Sequence, residues 1–515
     1  MKLPYINVSP QKETIGTDTF YGLNQNIIAQ EGEFSYMMNL SDRHYPALSN
    51  RPHRGAIEQT FTNPKGIFYK NGLFCIDGTK ADYKGAEKFD VTDSDKTIVG
   101  MGAYVCVFPD GIMYNTYKDT VEYMGAKVTL AATFAPLSDG SVFTKITATG
   151  IGSSFSKGDN VCITGVTGSI DTMFNDTTKV ISDAGDDYIV VTASLTDTYT
   201  ESSVTFERKI PQMDFITENN NRLWGCSSEN HEIYCCKVGD PKNWYSYETE
   251  ADNAYAVTVG SDGDFTGCIK YSTYMMFFKE STVHILRGTK PSNFSMTEKT
   301  LTGVKKGCSK SLQNINETLY YVGRDGVYAY DGSTPTKISE NITGEISDAV
   351  ACQYSSKLYI SCLLDGTRTL LVYDPKIRAW NVEDDETFKF AEYSEGMLHF
   401  VDADNNLTTI YGTRDDEINW ELITGNLYDG LLYQKHISKI QLNLWLSEGS
   451  EASVFTQFDD GEWIGKATIR STANKVYTVP IIPIRCAKCK LRLVGKGEFK
   501  LLAFTRQVET GSEIN

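Results

Sequence analysis

A short apolar run, a polar turn and a second apolar run recur seven times along this chain. They read NGLFCIDGTK (71–80), GAYVCVFPDGIMY (102–114), NRLWGCSSENHEIYCC (221–236), STYMMFFKESTVHIL (272–286), ETLYYVGRDGVYAYDG (317–332), SKLYISCLLDGTRTLLVYD (356–374) and GMLHFVDADNNLTTIYG (396–412). Tyr, Phe, Val, Ile and Leu fill the runs, and turns such as Arg324-Asp325-Gly326 and Asp365-Gly366 separate them. That is the signature of antiparallel hairpins. Leu319-Tyr320-Tyr321-Val322 reads as an alternation of inward and outward positions. No amphipathic pattern longer than two helical turns interrupts the series.

Anchored on the first strand of each hairpin, the units sit at Leu73, Tyr104, Leu223, Met275, Leu319, Leu358 and Met397, and the last four steps are 52, 44, 39 and 39 residues. Such a period predicts the blades of a β-propeller. The step from Tyr104 to Leu223 is 119 residues. Removing about 80 restores a blade-like step. The excess carries short alternating strands with Lys-Gly-Asp and Ala-Gly-Asp-Asp turns, as a small barrel would. Beyond about 431 the strands lengthen around an Asp460-Gly461 turn, as in an antiparallel sandwich. The expected fold is therefore all-β: a propeller of six or seven blades (61–130 and 210–430), an inserted small β-barrel (131–209), a C-terminal β-sandwich (431–515), and an N-terminal docking arm (1–60).

Charge changes the picture next. The 515 residues carry a formal net charge of −17. That excludes a protein that grips nucleic acid through phosphate contacts, but not one whose acidic wall DNA slides past without sticking. Between 137 and 207 stand ten Asp/Glu against three Lys/Arg, so the insertion alone holds −7; from 431 to 515, twelve Lys/Arg against eight Asp/Glu give +4. Oppositely charged ends suit different neighbours. No run approaches the roughly 20 apolar residues that cross a bilayer. The opening MKLPYINVSPQKETIGTD lacks the apolar core of a secretory signal, so assembly in the cytoplasm is expected, with most of the twelve cysteines as buried thiols rather than disulfides.

Candidate chemistry is sparse. Cys486-Ala487-Lys488-Cys489 is a single C-x₂-C without the second pair of a zinc ribbon, and within one strand positions i and i+3 face opposite ways. Cys235-Cys236 reads as a core and a surface position of one strand. Asp402-Ala403-Asp404-Asn405-Asn406 lacks the glycine and distal glutamate of a calcium loop and reads as a turn. The six histidines are dispersed, and no nucleophile elbow, phosphate-binding loop or dinucleotide fingerprint occurs. No enzyme activity, metal or cofactor is expected.

In NRLWGCSSENHEIYCCKVGDPKNW, an R-L-W strand precedes I-Y and then G-D-P-x-N-W. This arrangement resembles a segment of phage and prophage virion proteins. PQMDFITENNNRLWG, YAVTVGSDGDFTGCI, LYYVGRDGVYAYDG, the arm motif FYGLNQN…EGEFSYMMNLS and the terminal IRCAKCKLRLVGKGEFKLLAFTRQVETGSE are similar to the same group. More distantly it resembles tail nozzles and packaged-DNA stabilisation proteins of short-tailed phages. The resemblance implies a structural protein of the virion tail or neck: a homo-oligomeric ring, six copies the favoured number, around the DNA channel, in contact with other neck and tail proteins and with passing DNA. On that reading Asp183, Asp186 and Asp187 of the insertion face the channel. The alternative is a tail-tip or surface propeller that binds a host glycan or receptor, favoured by exposed aromatic platforms. In the quoted stretch, Leu223, Trp224, Ile233 and Tyr234 are expected to be buried in a blade, with Trp244 folded back onto it.

Overall fold

Runs of β-branched and aromatic residues punctuated by Gly, Asn and Asp favour strands and tight turns over helices. The computed structural model describes residues 11–138, 140–247, 252–414, 417–429, 434–470, 475–482 and 484–510, and they are almost entirely strand and turn. The α-helix among them is the four-residue Asp171–Phe174. The chain divides into two compact units, 62–312 and 1–61 together with 313–515.

The first unit holds four antiparallel four-stranded sheets, spanning 64–90, 97–123, 215–258 and 267–300. Their first strands abut in turn: Thr97–Met101 lies against Pro64–Tyr69 and Phe215–Asn219, and Phe215–Asn219 against Gly267–Tyr271. This is the blade arrangement of a β-propeller. Every junction between blades has its own core. Phe74 and Ile76 meet Val105 and Val107. Met101 and Phe108 meet Leu223, Tyr234 and Trp244. Trp224 and Ile233 meet Met275 and Phe277. The expected burial of Leu223, Trp224, Ile233, Tyr234 and Trp244 is what the fold shows.

The second unit repeats the arrangement at 313–337, 346–384 and 390–409, the last sheet being completed by Gln59–Thr60 paired to Asn406–Thr409. Among the described residues, six four-stranded sheets stand free in the two units, and the meander 346–384 is a seventh built into a larger sheet. All seven sequence anchors fall in the second strand of a sheet, not the first.

Two readings of the blades need correction. Leu319, Tyr320, Tyr321 and Val322 do not alternate; all four are buried. Cys236 is not a surface position: Cys235 belongs to the core on one side of its blade, Cys236 to the core on the other, and both are fully buried. The cause is the same. An internal blade is covered on both faces, so its strands are apolar throughout, as in any doubly covered sheet.

The insertion is a closed six-stranded barrel ordered Ala126–Pro136, Phe143–Thr147, Tyr188–Thr192, Thr177–Gly185, Asn160–Thr164, Tyr199–Arg208. Phe134, Ile146, Phe174, Ile189, Val204 and Phe206 fill it. It begins at Ala126, inside the stretch assigned above to the first blades. AKVTLAATFAP alternates without a break, so no turn residue marks the boundary, and Ala126 pairs directly with Arg208.

Residues 11–60 are built into the second unit. Gln11–Thr17 pairs with Phe499–Thr510, which also pairs with Lys435–Leu446 and Leu48–Asn50. Glu33–Met38 pairs with Asn419–Thr424, which continues into Cys489–Lys496, Glu451–Phe458 and Ile464–Arg470. The sandwich is thus woven from both ends of the chain. Its strands alternate buried and part-exposed positions, and Trp420 of one sheet stacks on Phe499 of the other at 3.7 Å between ring centroids. Gly22–Leu23 bridges the second sheet to the meander 346–384 beside Trp380. At Gly22 φ is +79°, and a Cβ would lie 2.1 Å from the Trp380 carbonyl oxygen, so no side chain fits there.

Candidate functional site

The acidic loop is built as a hairpin. Thr177–Gly185 turns through Asp186 and Asp187 into Tyr188–Thr192. Asp183, Asp186 and Asp187 are all exposed, but they are not equivalent. The Asp187 carboxylate accepts the Gly150 N–H at 2.7 Å, and its carbonyl accepts Ala148 N–H at 2.9 Å. Asp186 accepts Gly152 N–H through its carbonyl at 3.0 Å. Asp183 accepts the Tyr188 hydroxyl at 3.2 Å, and Lys145 lies over the Tyr188 ring at 4.2 Å. Asp187 therefore holds a neighbouring loop in place, while Asp183 and Asp186 present charge. Asp171, Asp176 and Asp197 are exposed on the same barrel, and of its described lysines Lys127 and Lys157 are.

What joins the barrel to the blades is a buried polar cluster that the sequence reading missed. The Arg208 guanidinium donates to Asp159 at 2.6 Å and to the Met124 carbonyl at 2.7 Å. Asn243 accepts both the backbone and side-chain N–H of Asn160, at 2.8 and 2.9 Å, and donates to Asp159 at 3.0 Å and Asp240 at 2.6 Å. In the same motif the Trp244 indole donates to the Pro241 carbonyl at 2.8 Å. The G-D-P-x-N-W stretch is thus a hinge block: its tryptophan fills a blade junction and its asparagine grips the insertion. An asparagine between a proline turn and a buried tryptophan was the available signal.

The other sequence candidates resolve structurally. Cys486 ends one strand and Cys489 begins another in the opposite sheet, so they do not share a strand as read above. The turn between them forms because Asp459 accepts the backbone N–H groups of Ala487 and Lys488. Burial pushes the Cys486 thiol up to about 11 and Cys489 higher still, which keeps both protonated and unreactive. All twelve cysteines are free thiols. Asp402–Asn406 is a turn: Asp402 accepts the N–H groups of Asp404 and Asn406 at 2.9 and 2.8 Å, and Asn405 has φ +68°.

The second unit contains a cleft of about 1010 Å³. The loop between Leu40–Ser41 and Leu48–Asn50 supplies Asp42 and Tyr45; the meander 346–384 supplies Tyr354, Lys357, Tyr359 and Asp374. Lys357 is ion-paired to Asp42 and, at 3.0 Å, to Asp374. Burial raises the Asp42 carboxyl despite Lys357. Burial would raise Asp374 too, but the hydrogen bond and charge of Lys357 outweigh it and hold Asp374 low. For Lys357 itself burial works downward, and the two carboxylates prevail and raise it.

Behind the cleft runs a chain of buried charge. Arg54, fully buried, donates to Asp384 at 2.7 and 3.0 Å and to Glu383 at 2.9 Å. Arg51 reaches the same Asp384 oxygen at 2.9 Å. Glu383 accepts the Tyr411 hydroxyl at 2.8 Å, and Tyr411 shares a 2.7 Å hydrogen bond with Tyr359. Two guanidiniums against two carboxylates leave the chain neutral, and it fixes the two tyrosines that form the inner wall of the cleft.

No protein-family model matches the chain, and no curated protein matches it. Among solved structures it is similar to the computationally designed Ika8 protein (10% identity, 70% of this chain and 100% of that one, TM-score 0.35). It is also similar to BamB from Moraxella catarrhalis (9% identity, 74% and 83%, TM-score 0.32). A third is an exo-β-1,3-galactanase from Phanerochaete chrysosporium (8% identity, 88% and 100%, TM-score 0.22). Likenesses this distant carry no argument about function, and the galactanase decides nothing about catalysis in this chain.

Proposed function

We propose that this chain is a structural protein of a bacteriophage virion, a tail or neck component whose copies form a ring around the DNA channel. Assembled in the host cytoplasm and retained in the virion, it contacts other neck and tail proteins and lets the genome pass. The observation that carries this reading is the barrel's skin: Asp171, Asp176, Asp183, Asp186, Asp187 and Asp197 exposed against Lys127 and Lys157, on a domain gripped by Arg208 and Asn243. An anchored acidic surface repels a polyanion that must move past it, and the repulsion reaches about 8 Å at physiological salt.

The test uses Asp176, Asp183 and Asp186, leaving Asp187 because it holds Gly150. Particles carrying all three as Lys should assemble normally, with the purified protein still a ring by mass measurement and microscopy. They should release DNA more slowly, and the defect should shrink at high salt because the new attraction is screened. A protein that stays monomeric at every concentration, or release at the wild-type rate at every salt, would remove the channel-wall reading.

A further inference from the structure

The cleft of the second unit has the chemistry of a ligand site, and nothing in the tail-protein reading requires it. Asp42 is only 6% exposed, yet its Oδ2 makes no hydrogen bond. A buried carboxyl oxygen without a donor is rare in folded proteins, where such atoms are almost always satisfied. It lies at the floor of an open cleft, beside Lys357 and Asp374. Above the floor Tyr45 is 42% exposed and Tyr354 part-exposed, and exposed Ser355, Ser356 and Asn316 rim the opening. The hydroxyls of Tyr359 and Tyr411 are committed to each other and to Glu383, so the inner wall offers ring surface rather than donors.

The charges select the ligand. At the buried floor Asp42 and Asp374 outnumber Lys357 and repel an anion; the other charges of the lining, Arg43 and Lys376, are exposed. Lys357, paired with both carboxylates, already supplies the cation that an ammonium or guanidinium ligand would bring. A wholly apolar ligand would leave three charged groups buried beneath it without solvent. A neutral, hydroxyl-rich ligand meets every requirement: its O–H groups donate to Asp42 and Asp374, its oxygens accept from Lys357, and its C–H faces rest on the electron-rich faces of tyrosines. The volume is at the upper end of the roughly 300–1,000 Å³ of small-ligand sites, enough for more than one sugar ring.

We propose that this cleft binds a neutral oligosaccharide, with Asp42 and Asp374 accepting from sugar hydroxyls, Lys357 donating, and Tyr45 and Tyr354 as stacking walls. The site is distinct from the acidic barrel and stands whether or not the chain forms a ring.

The experiment screens the full-length protein on an array of neutral and sialylated oligosaccharides and measures any hit by calorimetry. The variants are Tyr45→Ala, which removes an exposed ring, and Asp374→Asn, which keeps the acceptor for the Lys376 N–H while deleting the charge. Wild type should bind at least one neutral oligosaccharide in preference to its sialylated form. Each variant should weaken binding by about tenfold, the loss of one wall or one charged acceptor, while circular dichroism shows it folded; Asp374→Asn alone should also lower the unfolding temperature, because Lys357 loses a partner. As a further variant, Asp183→Asn should bind as wild type. The proposal is overturned by a folded wild type that retains no neutral glycan. It is equally overturned by binding that survives both cleft substitutions, or by a preference for sialylated sugars.

Discussion

The inserted barrel and the unit that carries the sandwich use carboxylates in opposite ways. The barrel closes its own core from one continuous segment and keeps six aspartates in water. The other unit is assembled from both ends of the chain and takes its acids inside: Asp42, Glu383, Asp384 and Asp402 are buried, and Asp429 is fully buried against Arg506 and Lys435. A contiguous barrel needs no specific ionic contact to find its partners. Strands more than four hundred residues apart, such as Gln11–Thr17 and Phe499–Thr510, gain from pairing that wrong registers cannot satisfy. Arg506 shows the pattern, joining the last strand to Glu31 at 2.6 Å. That buried charge specifies register here is a hypothesis for this fold, and it can be broken.

The largest effect should follow removal of one buried partner. Arg54→Ala strands Glu383 without its guanidinium and leaves Asp384 to Arg51 alone, and breaking a buried pair from one side costs about 3–5 kcal/mol. Denaturant unfolding should show the loss, or the protein should fail to fold. Arg54→Met together with Glu383→Gln removes one buried pair as a set, leaves Asp384 paired with Arg51, and should recover much of the loss. Equal damage from the single and double variants would mean that packing, not charge, holds this region.

How much of this was legible follows the same division. The barrel announced itself because an insertion lengthens one step of a regular period, and its turns are rich in Gly and Asp. Blade existence was legible for the same reason. The sandwich was only half visible. Gly22–Leu23 and Leu40–Ser41 are two-residue strands with no periodicity to read, and nothing local tells Glu33–Met38 that its partner is Asn419–Thr424. The cleft was not legible at all. Asp42 and Tyr45 stand in an ordinary SDRHYP loop, and only long-range pairing brings them to Lys357 and Asp374. The turn at Asp186 and Asp187 was legible, but not that Asp183 stands in the strand before it or that Asp187 is committed to Gly150.

An intermediate effect tests the cost of taking acids inside. Burial pushes Glu392, on the strand Phe390–Ser394, up to about 7 from an ordinary 4.5. Below 4.5 both folded and unfolded chains hold this proton. Between 4.5 and about 7 the unfolded chain releases it while the folded chain keeps it, so stability falls as pH rises and is flat above. At about 1.4 kcal/mol per unit the loss reaches at most about 3.5 kcal/mol. Glu392→Gln should therefore be the more stable protein at pH 8 and lose that advantage at pH 4. A stability difference that does not vary with pH would show that Glu392 is solvated.

A smaller effect should come from the joint. Asn243→Ala leaves the Asn160 N–H and an Asp159 oxygen without their partner, a loss of about 1–3 kcal/mol for buried polar groups. The loss should be local. Amide exchange should speed up in the barrel strands next to Asn160 while the blade junction around Trp244 stays protected. Uniform acceleration through the blades would mean that the barrel and its host unfold as one.

The smallest effect is expected from the largest edit. Ala126 and Arg208 are paired neighbours, so cutting out 126–208 leaves two chain ends that a few Gly and Ser residues can join without strain. The barrel's core includes no blade residue, and Asn243, once uncovered, exchanges its lost partners for water. The remaining chain should keep a cooperative β-type unfolding transition, shifted by no more than about 1–2 kcal/mol, the range of a tolerated insertion site. The excised segment 126–208 should fold alone, since closure leaves it no open sheet edge and its apolar side chains point inward. Circular dichroism and calorimetry on both products decide the matter. If the shortened chain loses cooperativity, or the isolated barrel is unfolded, the insertion is not self-sufficient, its contrast with the interwoven sandwich is wrong, and the acidic skin would belong to a surface that the blades themselves build.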